Sequence, residues 1–88
     1  MKATVYSKPN CPFCDQAKQL LKQQGITFNE VHFDVGQLRV EGLEYVSPIA
    51  FRDRYPDAKT APQVFIDDVR IGGFIQLREH LSKWREEA

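Results

Sequence analysis

Cys11-Pro12-Phe13-Cys14 holds both cysteines of the sequence and is its clearest chemical feature. Two residues between the thiols let the sulfurs close a small ring. A pair at this spacing in a reducing compartment reads as redox chemistry or as half of a metal site. A structural zinc site needs four ligands. The remaining candidates, His32 and His80, stand far from the cysteines and lack ligand-pair spacing, and no second C-x-x-C follows. Thiol–disulfide exchange is therefore expected and a metal is not. Exchange requires a thiolate that attacks, a second thiol that resolves the mixed disulfide, and a good leaving sulfur.

The flanking pattern separates the roles of the two thiols. A short apolar run, residues 3–6, precedes the pair and a helical pattern, residues 15–24, follows it. Both sulfurs then fall at a strand-to-helix junction. Unsatisfied backbone N–H groups and the positive end of the macrodipole favour a thiolate there. Cys11 is placed to benefit and to attack first. Cys14, one turn further in, is more sheltered and resolves. Pro12 suits the first helical turn, where a missing N–H costs nothing. Lys8 and Lys18 either lower the energy of the thiolate further or lie on a solvated face.

The elements that position the pair follow from periodicity. Lys2–Ser7 alternates and is β-rich, and Lys8-Pro9-Asn10 breaks it. Ala17, Leu20 and Leu21 recur at helical spacing up to a stop at Gly25. Residues 26–33 are rich in β-branched and aromatic side chains. This strand, helix, strand order predicts a parallel βαβ unit with the dithiol at the carboxyl end of the first strand, where open α/β sheets place ligands. Residues 34–46 read mostly as loop. Ser47-Pro48 predicts an N-cap and first position for a short helix ending before Tyr55-Pro56. Residues 63–67 and Val69–Gly72 predict an antiparallel hairpin across Asp67-Asp68. Phe74, Leu77, Leu81 and Trp84, at spacings of three and four, predict a last helix with a core-facing stripe.

Composition narrows the function classes. The 88 residues form one expected domain, 1–88, with 42% hydrophobic and 27% charged side chains, an ordinary soluble balance. Twelve acidic residues offset twelve basic ones, without the basic excess of a nucleic-acid binder. No apolar run approaches ~20 residues, and the first residues are strand-like instead of a charged and apolar leader. A cytoplasmic protein with no nucleic-acid or membrane partner is expected.

These elements predict an α/β, thioredoxin-like fold: a four-stranded mixed sheet of order 2-1-3-4 with about three helices on its two faces. Along nearly its whole length the chain resembles a glutaredoxin. Three motifs carry the resemblance: Cys11-Pro12-Phe13-Cys14 after a strand, Thr60-Ala61-Pro62-Gln63-Val64-Phe65 opening the third strand, and Gly72-Gly73-Phe74 before the last helix. Residues 72–80 and 14–18 are especially similar to short glutaredoxins of tailed phages, which implies a host cytoplasm if the source is a phage.

The resemblance implies a dithiol–disulfide oxidoreductase, expected to be a monomer, with Cys11 as nucleophile. It reduces protein disulfides and mixed disulfides of glutathione. Glutathione is its co-substrate and reductant, thioredoxin reductase an alternative donor, and ribonucleotide reductase a client. A glutathione-dependent iron–sulfur cluster carrier is the alternative, against which Pro12 counts because carriers more often have glycine or serine there. Phe13 either packs inward or offers an apolar rim to substrate. Pro62 is implied to be cis and to face the dithiol, leaving the backbone of Ala61, where the family usually has valine, free to pair with substrate. Lys8 and Lys59, beside Thr60, match lysines that take the glycyl carboxylate of glutathione. Gly73, Phe74, Ile75 and Gln76 match the segment that holds its γ-glutamyl end. The family's aspartate in that segment is replaced by Ile75, followed by Gln76. The family's glutamine on the second helix has no clear counterpart, Ile49 and Arg52 being nearest.

Overall fold

Alternation along the first strand decides which face is the core. The computed structural model describes residues 2–36 and 39–87, with side chains through Lys83. Ala3, Val5 and Ser7 are buried along β1 (Lys2–Ser7), and Thr4 and Tyr6 point to the other face, as a period of two requires. In α1 (Pro12–Gln23) the buried residues are Cys14, Ala17 and Leu21, a single stripe at spacings of three and four. The helix ends at Gly25, whose φ of 72° disfavours any residue with a Cβ. The Gly25 N–H bonds the Lys22 carbonyl at 3.1 Å and the Ile26 N–H bonds the Leu21 carbonyl at 3.0 Å, the paired bonds of a Schellman stop.

The chain continues through β2 (Thr27–Phe33), β3 (Glu44–Val46), α2 (Pro48–Arg54), β4 (Gln63–Ile66), β5 (Val69–Gly72) and α3 (Phe74–Glu87). The sheet order is β3-β2-β1-β4-β5. β1 runs parallel to β2 and antiparallel to β4, and β4 and β5 form the expected hairpin. Both turn residues, Asp67 and Asp68, have positive φ, 50° and 67°, as a two-residue I′ turn requires.

The sequence pattern anticipates four of the strands, β2-β1-β4-β5, in their order, and the structure adds a fifth at the β2 edge. β3 pairs parallel with residues 31–33 of β2 inside the stretch expected to be loop. Three residues are too few to show a period of two, so the strand exists through its partner: the Asp34 N–H bonds the Val46 carbonyl at 2.8 Å. Gln37 and Leu38 of that stretch lie outside the described residues. α2 opens as expected, with the Ser47 Oγ accepting the Ala50 N–H at 3.3 Å and Pro48 at the first position.

The two faces of the sheet are covered unequally. α1 and α3 bury the main core, in which Val5, Leu21, Val64, Leu77 and Leu81 are almost wholly enclosed. Trp84, expected on the same stripe as Leu77 and Leu81, has a side chain outside the described set. On the opposite face Phe51 of α2 joins an aromatic cluster, with ring centroids 4.8 Å from Tyr6 and 5.2 Å from Phe33. The register places Tyr6 beside Gln63, and Val64 beside Gly72. The end of β1, the start of β4 and the end of β5 therefore meet at one edge of the molecule.

Candidate active site

Cys11 is the N-cap of α1, with extended backbone, and its Sγ accepts the Cys14 backbone N–H at 3.2 Å. A sulfur in this position receives both a hydrogen bond and the positive end of the helix dipole. Cys14 stands one turn inward on the buried stripe. Exposure follows: 7% for Cys11 and 1% for Cys14. The two are joined as a disulfide with Cα atoms 5.2 Å apart.

A loop before β4 faces the pair. The Ala61 carbonyl oxygen lies 3.8 Å from Cys11 Sγ, and the Ala61–Pro62 peptide is cis. The hairpin holds this loop from behind. The buried Gln63 donates from Nε2 to the Thr60 carbonyl at 2.8 Å and accepts from Arg70 at 3.3 Å. Arg70 also reaches Asp57 at 2.5 Å and lies 5.5 Å above the Tyr55 ring. Arg70's hydrogen bond holds the Asp57 carboxyl below its usual value. Gln63 and Arg70 are positioning residues that the motif alone did not single out. Their signal was a polar glutamine at the start of a strand whose next residues are core.

Two flanks with different chemistry border the disulfide. On one side Lys8, Arg52, Lys59, Thr60 and Ala61 line a hollow of about 190 Å³ together with Phe33 and other apolar residues. Of the two residues considered on α2, Arg52 lines this hollow and Ile49 does not. On the other side the Phe13 ring, 56% exposed, sits 6.2 Å from the Phe74 ring, beside Ile75, 53% exposed. Phe13 thus forms a rim and is not core. At the start of α3 the Gly73 N–H donates to Gln76 Oε1 at 3.0 Å, half of a capping box. Gly72, at φ 122°, admits no Cβ without pressing on Gln76, 3.2 Å away. A Cβ on Gly73 would stand 3.6 Å from the Pro62 carbonyl oxygen, so this turn packs against the loop that faces the dithiol.

Lys18 takes neither of its two expected roles. Its Nζ bonds Glu30 of β2 at 2.9 Å, with Asp15 at 3.5 Å, and the His32 Nε2–H donates to the same Glu30 oxygen at 2.7 Å. Burial works to lower the Lys18 ammonium, but the Glu30 hydrogen bond and charge outweigh it and hold it above its usual value. Burial likewise works to raise the Glu30 carboxyl, and the bonds from Lys18 and His32 bring it below its usual range. The cluster ties α1 to the sheet.

A mixed sheet between helices, with a C-x-x-C disulfide capping the first helix opposite a cis proline, defines a thioredoxin-like dithiol protein. The glutaredoxin family model matches residues 3–71. Glutaredoxin 3 of Escherichia coli (strain K12) is 35% identical over 69 residues, 78% of this chain and 72% of that protein. The chain belongs to the glutaredoxin family, whose members are generally thiol–disulfide oxidoreductases. The hybrid peroxiredoxin hyPrx5 of Haemophilus influenzae is 35% identical over 79 residues, 90% of this chain but only 29% of that protein. Among solved structures, glutaredoxin from Brucella melitensis superposes with a TM-score of 0.68 at 27% identity, covering 99% of this chain and 85% of its own.

Proposed function

We propose that the chain reduces protein disulfides and glutathione mixed disulfides by two-step exchange at Cys11 and Cys14, as a cytoplasmic monomer re-reduced by glutathione. The observation that carries this reading is the asymmetry of the pair. Cys11 is the more exposed sulfur and accepts the Cys14 N–H at the helix start, whereas Cys14 is enclosed. The Cys11 thiolate attacks one client sulfur, forming a Cys11–client disulfide as the client's own S–S bond breaks and its departing thiolate takes a proton. Cys14 then gives up its proton and attacks Cys11 Sγ. This forms the intramolecular disulfide and releases the second client thiol. Two glutathione molecules, oxidised to their disulfide, return the pair to dithiol.

The hollow lined by Lys8, Arg52 and Lys59 suits the glycyl carboxylate of glutathione, and the start of α3 offers backbone N–H groups to the γ-glutamyl carboxylate. Ribonucleotide reductase is the client, and thioredoxin reductase the second donor, that the family resemblance suggests.

The test is turnover of a glutathionylated peptide and of a disulfide-bonded protein by wild type, Cys11→Ser and Cys14→Ser. Cys11→Ser is expected to lose both activities, and Cys14→Ser to keep the first and lose most of the second. Full activity in Cys11→Ser would overturn the assignment. A brown, dimeric purified protein would instead point to cluster carriage.

A further inference from the structure

Single exposed apolar residues on a protein surface are ordinary. Here two of them, Phe13 and Ile75, come from the starts of different helices beside a reactive disulfide, and the Phe13 ring lies 6.2 Å from that of Phe74, which Ile75 follows in the first turn of α3. The Arg78 guanidinium lies 5.9 Å from the centroid of the Phe74 ring. The opposite flank is cationic. Lys8, Arg52 and Lys59 line its hollow without a carboxylate among the lining residues, and none of the three forms an ion pair among the described residues.

Glutathione leaves part of this arrangement unmatched. It carries a carboxylate at each end and an ammonium at one. The cationic hollow suits the glycyl end. At the other end the carboxylate can take first-turn N–H groups of α3 other than that of Gly73, which is bonded to Gln76, but Ile75 offers no charge to the ammonium and the apolar rim stays uncovered. A polypeptide can match both flanks at once.

We propose that the preferred substrates are polypeptide disulfides whose reacting half-cystine has an acidic side chain on one side and an aliphatic or aromatic one on the other. The acidic residue enters the Lys8/Arg52/Lys59 hollow and the apolar one covers the Phe13/Phe74/Ile75 rim. The inference rests on the exchange chemistry proposed above and names the substrate class for it. The covalent steps are unchanged: the client disulfide gains two electrons, the Cys11–Cys14 dithiol loses them, and a small thiol such as glutathione restores them.

The experiment uses pre-reduced protein in single turnover, so regeneration does not enter. Substrates are short disulfide-bonded peptides with glutamate or lysine at one flank and leucine or aspartate at the other, in both chain directions. A glutathionylated peptide and the small neutral disulfide of 2-mercaptoethanol complete the set. In at least one direction the glutamate/leucine peptide should exchange roughly tenfold faster than the lysine/aspartate peptide, a few-fold arising from each flank. Added salt should erode the glutamate preference and spare the leucine preference. Arg52→Glu should abolish or reverse the glutamate preference while leaving the leucine preference in place. Equal rates across the peptides, or a glutathionylated peptide as fast as the best of them, overturn the inference while exchange with the neutral disulfide upholds the oxidoreductase reading. Failure with every disulfide, the neutral one included, overturns both.

Discussion

The side-chain oxygen of Gln76 accepts the backbone N–H of Gly73 at 3.0 Å, so α3 begins with one of its unpaired donors satisfied from within. An arriving carboxylate competes with that bond, and Ile75 beside it supplies no partner for an ammonium. Ile75→Asp is predicted to lower KM for a glutathionylated substrate about three- to tenfold. A new charge-assisted bond is worth about 1.5–3 kcal/mol, discounted for an exposed position. Steady-state kinetics with the glutathionylated peptide check this, and an unchanged KM would show that glutathione does not place its ammonium here.

Reduced protein should be alkylated by iodoacetamide at Cys11 before Cys14. Cys11 is the less enclosed of the two and alone accepts the helix-start hydrogen bond, and the thiolate is the reacting species. Peptide mapping after brief labelling at neutral pH gives the order directly. Labelling of Cys14 first would reverse the two roles.

Leu21→Ala is predicted to destabilise the fold by about 2–5 kcal/mol, the usual cost of truncating a fully enclosed leucine. The side chain has no exposed surface and shares its stripe with Cys14 and Ala17. Denaturant unfolding measures it. A loss under 1 kcal/mol would mean that α1 is not anchored through this face.

Glu30 links stability to pH. Its folded carboxyl titrates below the unfolded value of about 4.3, so its contribution is present above that pH and is lost as pH falls through the folded value. Lys18 titrates above its unfolded value, so its share is complete below about 10.4 and is lost as pH rises through the folded value. Glu30→Gln should therefore cost about 1 kcal/mol at pH 7, a part-exposed ion pair, and progressively less as the pH is taken below the unfolded value and through the folded one. Thermal melts from pH 7 downwards through the acid range test this, and a cost that does not fall with pH would remove the electrostatic account.

Ser7 is 1% exposed, and its hydroxyl has no hydrogen-bond partner among the described residues. A buried unpaired polar group costs stability. Ser7→Ala is thus expected to leave the melting temperature unchanged or to raise it. A clear drop would reveal a partner for the hydroxyl.

Strong local signals made most of this molecule legible in its sequence. The stop at Gly25, the Ser47-Pro48 helix start and the Asp67-Asp68 turn each depend on backbone rules within four residues, and each stands where the pattern put it. β3 was hidden because three residues gain strand structure only from a neighbour distant in sequence. The roles of Lys18 and Phe13 stayed open for a related reason: whether a lysine meets a thiolate, water or Glu30 depends on where β2 lies across the sheet. Likewise Arg70 reads as an exposed hairpin residue until the fold brings it to Gln63 and Asp57. The two cysteines were distinguishable in advance because helix geometry alone separates an N-cap from a residue one turn later.

The outermost strands, β3 and β5, are three and four residues long, and the pairing of β4 with β5 is irregular between Val64 and Phe65. Pro48 follows β3 closely, and β5 ends in a glycine at φ 122°. Short, interrupted borders of this kind give an incoming chain little to zip onto. Two such borders also leave copies of the chain little edge on which to pair with one another.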